Sequence, residues 1–288
     1  MIISVSRRTD IPAFFSDWFM AQVRAGYCFV PNPMRPSQVS KVSLLPEDVE
    51  CMVFWSKSPA PLLRHLPELD ARGFKYYFLF TLNGYPRILE PYLPDTSMLI
   101  NSFVELAQTI GPAKVIWRYD PIIISAATPY QYHVQHFAYL AQELRGSTER
   151  VVVSIFDWYP FLKNRLQKPP YEALHIESEP ERDEQFGPTM CMLARIAAEN
   201  GMQIQSCAEV VDLTPYGIER GSCIDGALIE ELFGIRVTSA KDRGQRSPCS
   251  CVQSRDIGVY GSCGFGCVYC YARRSEHVDA GHFAFLKQ

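Results

Sequence analysis

No run in this 288-residue chain approaches the ~18 consecutive apolar residues of a membrane span, although 47% of its residues are hydrophobic. A spanning helix is thereby excluded, and no membrane partner is expected. The opening MIISVSRRTD has no basic segment leading into an apolar stretch and a cleavage site, so export is not expected and the cytoplasm is the expected compartment. No G-x-S-x-G elbow, phosphate-binding P-loop or G-x-G-x-x-G turn occurs, which leaves hydrolase, nucleoside-triphosphatase and dinucleotide-binding readings without support. The six histidines form no HxxxH pair. His133 and His136 lie three apart without a carboxylate in the pattern, and no metal role is expected of them. There is no repeat of solenoid period and no low-complexity tail. A net charge of -3 argues against a protein that wraps nucleic acid by bulk electrostatics. One segment departs from that balance: Lys241, Arg243, Arg246, Arg255, Arg273 and Arg274 against Asp242 and Asp256 give a local +4, which leaves -7 for the rest. It is either a solvated face or a patch that meets an anionic group.

Cysteine, by contrast, is plentiful, with ten in the chain. In a reducing compartment they are expected as thiols and metal ligands rather than disulfides. Three close the chain in SCGFGCVYCYAR, and the CxxxCxxC spacing of Cys263, Cys267 and Cys270 predicts three corners of a 4Fe-4S cluster. Three thiolates would leave one iron open to a ligand. A zinc knuckle is the alternative, but structural zinc prefers four closed ligands. Cys207, Cys223, Cys249 and Cys251 are the expected ligands of a second site, a closed cluster or a structural zinc. Cys28, Cys51 and Cys191 lie inside strand or helix patterns and are expected in the core.

Short apolar runs at 2–6, 52–55, 76–81, 115–118, 151–155 and 202–207 predict six strands, and a further run at 257–260 leads into the last cysteines. Helices are expected at 14–25, 61–72, 98–110, 132–144 and 184–199. The alternation is that of βα units around a parallel sheet, and near-continuous apolar character fits strands buried on both faces. The expected fold is α/β, a partial (β/α) barrel of the TIM type in one domain over 1–288, with 249–288 as a cysteine-bearing C-terminal segment within it. In such folds the chemistry sits at the carboxyl ends of the strands. Here those ends carry Arg7, Arg8, Thr9 and Asp10; Ser56 and Lys57; Thr81 and Asn83; Arg118 and Asp120; Asp157; and Cys207 and Glu209. One such residue reads as a helix cap or a buried ion pair, whereas six sets at the same end predict a shared polar site. The long charged and proline-rich stretch 163–188 is expected to be a lid or binding loop.

Several of these segments, SRRTDIPAF, VFWSK, FTLNGYP, VIWRYDPI and DIGVYGSCGFGCVYCYA, resemble the domain-of-unknown-function family 1848 across nearly the whole chain. The tail SCGFGCVYCYAR also resembles the cluster loop of radical S-adenosylmethionine enzymes, most closely the spore photoproduct lyase and DNA-repair-photolyase-like branch. In that superfamily the loop follows the first strand, whereas here it comes last. VSRRTDIPAFF and WSKSPAPLLRHLPEL look like the units that follow it there, so the resemblance implies a circularly permuted radical-SAM-like barrel. It further implies that Cys263, Cys267 and Cys270 hold the cluster and that S-adenosylmethionine chelates its open iron. A 5'-deoxyadenosyl radical would then act on an unidentified small-molecule or nucleic-acid substrate, with a ferredoxin or flavodoxin as electron donor. On this reading Arg118, Asp120, Lys57 and Asp10 are the expected catalytic residues. Arg7, Arg8, Asn83 and Glu209 are expected to bind the cofactor. An iron-sulfur electron-transfer or redox-sensing protein, and a zinc-stabilised nucleic-acid-binding module, are the alternatives.

Overall fold

The computed structural model describes residues 1–273; Arg274, counted above in the basic segment, lies outside the described residues. β1 (Ile2–Val5) is followed by α1 (Ile11–Phe14) and α2 (Ser16–Ala25), then by β2 (Tyr27–Pro31) and β3 (Val39–Ser43). β4 (Cys51–Ser56) leads to α3 (Ala60–Leu63) and α4 (Leu66–Ala71), and β5 (Tyr76–Thr81) to α5 (Thr96–Ile110). β6 (Val115–Ile122) precedes α6 (Tyr130–Glu143), and β7 (Arg150–Ile155) precedes α7 (Pro160–Leu166) and α8 (Phe186–Glu199). β8 (Gln203–Cys207), β9 (Glu219–Gly221), α9 (Gly226–Phe233) and β10 (Arg255–Asp256) complete the order.

Eight strands form one sheet in the order β10-β1-β4-β5-β6-β7-β8-β9, every pairing parallel, while β2 and β3 make a separate antiparallel hairpin. The fold is α/β with an eight-stranded parallel sheet. The six long apolar runs are the strands expected of them because both faces of the sheet are covered, so neither parity along a strand needs to be polar. Ile3, Val5, Phe54, Phe78, Phe80, Trp117 and Val153 belong to one core with helices α2, α5, α6 and α8. Ile2, Val53, Trp55, Tyr77, Leu79, Ile116 and Val152 face the other way, under Leu228 and Ile229 of α9 and the cysteines that flank that helix.

Some boundaries differ from expectation. The helix expected over 14–25 breaks at Phe15: Asp10 caps α1 by accepting from the Ala13 N–H at 3.0 Å, and Phe15 departs from helical backbone before α2 begins. The strand expected over 257–260 lies two residues earlier, as β10, beside β1 with Ile3 opposite Arg255 and Ser4 opposite Asp256. The stretch 163–188 is not a free lid. Its backbone is tied to the loop after β6, with the Ala126 N–H donating to Leu174 O at 2.7 Å, the Glu177 N–H to Ile124 O at 2.9 Å, and Tyr130 OH to Pro180 O at 2.9 Å. Cys28 and Cys51 are in the core as expected, whereas Cys191 is exposed, on the outer face of α8. No helix among the described residues is long and apolar enough to cross a membrane.

Candidate functional site

At the carboxyl end of the sheet, two guanidinium groups approach one indole. The Arg118 guanidinium lies 4.8 Å and that of Arg7 5.3 Å from the Trp55 ring centroid. Trp55 is on β4 and Arg118 on β6, and the strand registers put both on the face that carries α9. Arg118 pairs with Asp120 two residues along the same strand and donates through Nη1 to Thr81 Oγ1 at 3.3 Å. Burial alone would lower its pKa, but the charge of Asp120, followed by the nearby Cys223 and Cys207, raises it, so Arg118 is fixed as a cation. Arg7 reaches Asp242 at 3.4 Å and Ser254 Oγ at 3.3 Å. Two donors of this stacked set, Arg118 Nε and Trp55 Nε1, are buried without a hydrogen-bond partner, and Gln205 Oε1 on the same face is an acceptor in the same state. Buried polar atoms are nearly always satisfied, so orphans gathered in one place ask for an explanation.

The other expected residues fall into two groups. Asp10 is a structural carboxylate: besides capping α1, it accepts from Ser56 Oγ at 2.8 Å and from the Lys57 N–H at 2.7 Å. Burial pushes it up to about 6 against these bonds. Lys57 Nζ is 2.7 Å from Glu90 Oε1 and donates to Tyr269 OH at 3.1 Å, and Tyr269 OH itself donates to Glu90. Burial alone would lower the Lys57 pKa, but the Glu90 carboxylate raises it. Asn83 clamps the backbone of Asp120 from both sides, accepting from its N–H at 2.9 Å and donating to its carbonyl at 3.0 Å, and reaches Tyr269 OH at 3.2 Å. Arg8 lies over the Tyr260 ring and 3.9 Å from Asp256. Glu209 accepts from the Ile155 N–H at 2.9 Å, and burial pushes it up to about 8. The residue before it, Ala208, has φ 59, a left-handed backbone that a non-glycine residue rarely adopts.

Asp256 was counted above only as a charge, yet it organises the join between the two ends of the described chain. Its carboxylate accepts from Ser4 Oγ at 2.9 Å, Ser6 Oγ at 2.6 Å, and the N–H groups of Arg7 at 2.8 Å and Gly258 at 2.9 Å. An acidic residue placed at the head of the run Ile257-Gly258-Val259 was the available signal. Glu90 gave none, because it neither ends a strand nor belongs to a quoted segment, and Trp55, although it ends the run 52–55, reads as one more buried apolar residue. Three of the six cations in the basic segment are paired as well: Arg246 with Asp157, Lys241 with the Ser247 carbonyl, and Arg273 with the Gly266 carbonyl at 2.7 Å.

The cysteines require a correction. Among the described residues, no group of three or more His, Cys, Asp or Glu side chains has the arrangement of a metal site, although Cys207, Cys223, Cys249 and Cys251 are in contact. Ligand spacing along the chain is necessary for coordination, but the sulfurs must also converge at the right separation. Burial pushes the Cys263 thiol up to about 12 and raises Cys267 as well, and Cys270 Sγ accepts from the Ala272 N–H at 3.4 Å. Cys207 and Cys223 lie close, with their sulfurs 3.1 Å apart. Around a tetrahedral ion with bonds of ~2.3 Å, sulfurs stay about 3.8 Å apart, so this is a thiol–thiol contact. The 4Fe-4S clusters, bound S-adenosylmethionine, radical chemistry and metal binding expected above are therefore not supported. The electron donor, the redox-sensing cluster protein and the zinc-stabilised module fall with them.

A cleft of about 400 Å³ opens at the opposite, amino end of the sheet, lined by Asp70, Gly73, Phe74, Lys75, Tyr76, Lys114, Leu232 and Phe233. It holds none of the buried charged residues described above, which directs attention to the carboxyl end. A family model described as Domain of unknown function (DUF1848) matches residues 2–272. No curated protein matches the chain. Among solved structures, one from Bacteroides thetaiotaomicron VPI-5482, assigned provisionally as an alpha-L-fucosidase, is similar over 85% of this chain and 84% of its own. At 10% identity and a TM-score of 0.28 it carries no argument. None of these matches relates the chain to radical S-adenosylmethionine or photolyase-type enzymes, and the permuted barrel inferred from that resemblance loses its basis.

Proposed function

The chain belongs to the family of domain of unknown function DUF1848, and we propose that it binds a small carboxylate at the carboxyl end of its parallel sheet, against Arg118 and Trp55. The observation that carries this reading is the pair of orphaned donors, Arg118 Nε and Trp55 Nε1, in one stacked set. A buried donor without an acceptor costs about 1–3 kcal/mol, and two of them are relieved together by one oxyanion. Both cations have a carboxylate partner, Asp120 or Asp242, so what calls for a ligand is the free Nε edge, and the planar guanidinium suits the two oxygens of a carboxylate better than an ammonium would. Asp120 and Asn83 then act as positioning residues: Asp120 holds the far edge of the guanidinium, and Asn83 fixes the backbone that carries Asp120. The side chains of Arg118 and Arg7 are 17% and 11% exposed, whereas the orphaned Nε and Nε1 are themselves covered, so a ligand reaches them by displacing what lies over them.

The test is a thermal-shift and calorimetric screen of hydroxy- and amino-carboxylates, each against its own amide. A ligand at about a hundred times its Kd adds roughly 2.7 kcal/mol to stability, which the melting temperature reports. Arg118→Lys keeps the charge but loses Nε and the fork, and is expected to cost at least about tenfold in affinity, or ~1.4 kcal/mol. Trp55→Phe keeps an aromatic face but removes the orphaned N–H together with part of the indole, and should weaken binding to a smaller extent than Arg118→Lys. If no carboxylate binds better than its amide, or if Arg118→Lys binds as tightly as the parent, the reading is wrong.

A further inference from the structure

Cys207 ends β8, Cys223 follows β9, and Cys249 and Cys251 come from the loop between α9 and β10. The four thiols, far apart in sequence, meet over the same sheet face and are 8%, 2%, 6% and 2% exposed in that order. The Cys207 and Cys223 sulfurs are 3.1 Å apart, about 1 Å longer than a disulfide bond. Cys251 Sγ accepts the Ile224 N–H at 3.3 Å, and side-chain contacts link Cys251 to Cys207, Cys223 and Cys249. Packed cysteine serving as a small hydrophobe has no reason to gather in a quartet, and nothing in the proposed carboxylate site uses these sulfurs.

We infer that Cys207 and Cys223 are a reversible dithiol–disulfide pair, a modification site that stands apart from the carboxylate reading. Hydrogen peroxide is the oxidant class that fits, because the sulfurs are too buried for a bulky disulfide to enter readily. One thiolate attacks a peroxide oxygen, the O–O bond breaks, and hydroxide leaves with the formation of a sulfenic acid. The second thiolate then attacks that sulfur and displaces its hydroxyl, so two thiols and one peroxide become one disulfide and two waters. Cys207, the most exposed of the four, is the sulfur that peroxide meets first.

The experiment treats the purified full chain with hydrogen peroxide, blocks remaining thiols under denaturing conditions, and maps peptides by mass spectrometry without reduction. Metal content is measured on the same sample. The expected result is a Cys207–Cys223 cross-linked peptide that becomes the main form, is absent before treatment, and returns to thiols with dithiothreitol. Cys28→Ser should leave that bridge unchanged. Irreversible oxidation of Cys207 without a bridge, modification confined to the exposed Cys191, or a metal ion held in stoichiometric amount by the four sulfurs would each overturn the inference.

Discussion

Glu90→Gln removes one charge from the buried Lys57–Glu90–Tyr269 cluster while preserving its shape, and the outcome can be bounded from Lys57 alone. Glu90 is 2% and the Lys57 side chain 15% exposed, with 2.7 Å between them. Removing one partner of a buried pair costs about 3–5 kcal/mol because the remaining charge is stranded. A stranded lysine has an escape, which is to release its proton, and that sets a ceiling. From an ordinary pKa of about 10.4, deprotonation at pH 7 costs roughly 4.6 kcal/mol, and at pH 9 only about 1.9 kcal/mol. Raised by Glu90, the folded-state pKa of Lys57 makes the pair's contribution complete below the unfolded value, with loss only as pH rises through the folded one. The parent is therefore at full strength at pH 7. Glu90→Gln is expected to lose about 3 kcal/mol at pH 7 and under about 2 kcal/mol at pH 9, read from urea unfolding followed by circular dichroism. The double variant Lys57→Met with Glu90→Gln should recover most of the loss. A cost below about 1 kcal/mol at pH 7, or one that does not shrink toward pH 9, would refute the idea that this pair is a buried, mutually dependent unit.

Two further outcomes follow from other parts of the site. Glu209 is pushed up to about 8 by burial, so the folded state holds a proton that the unfolded state releases near pH 4.5, and stability falls as pH rises between these values. Glu209→Gln keeps the acceptor for the Ile155 N–H and should be more stable than the parent by up to about 4 kcal/mol at pH 8, with no gain at pH 4; equal stability at pH 8 would show that Glu209 is not so perturbed. At Gly258 an added Cβ would lie 1.9 Å from Ser6 Oγ and 2.5 Å from Ser6 Cβ, so Gly258→Ala must displace the hydroxyl that serves Asp256. A loss of about 1–3 kcal/mol in thermal unfolding is expected, and an unchanged melting temperature would show that the join has room to spare.

The strands were legible because burial on both faces makes a parallel strand a continuous apolar run, as in Val53-Phe54-Trp55 and Tyr77-Phe78-Leu79. The hairpin of β2 and β3 was not, since Val39, Ser40 and Lys41 are exposed and give no apolar run. Helix α9 was passed over although Asp225 caps it and Gly234 ends it in left-handed backbone, both ordinary signals in a short segment. The polar strand ends were visible as a group, but the division of labour among them was not. Spacing could not say that Asp10 serves a helix cap and the Lys57 backbone, or that Arg118 keeps a free donor. Cysteine spacing was the most conspicuous pattern and the most misleading, because periodicity along a chain does not set how far apart its sulfurs come to rest.

Asp256 and Ser4 touch although they lie 252 positions apart in the chain, which bears on how the molecule is made. β1 leaves the ribosome before the other strands of the sheet, yet its far edge has no partner until β10 follows. At about 5–20 residues per second that interval is roughly 10–50 s. Through all of it the nascent chain carries an apolar strand with one bare row of amide and carbonyl groups, the arrangement that invites pairing with a neighbouring chain. The sheet can gather β4, β5, β6, β7 and β8 as they emerge, each against its predecessor. β1 must wait for β10, so the slow and vulnerable part of synthesis belongs to the strand of this sheet that is made earliest.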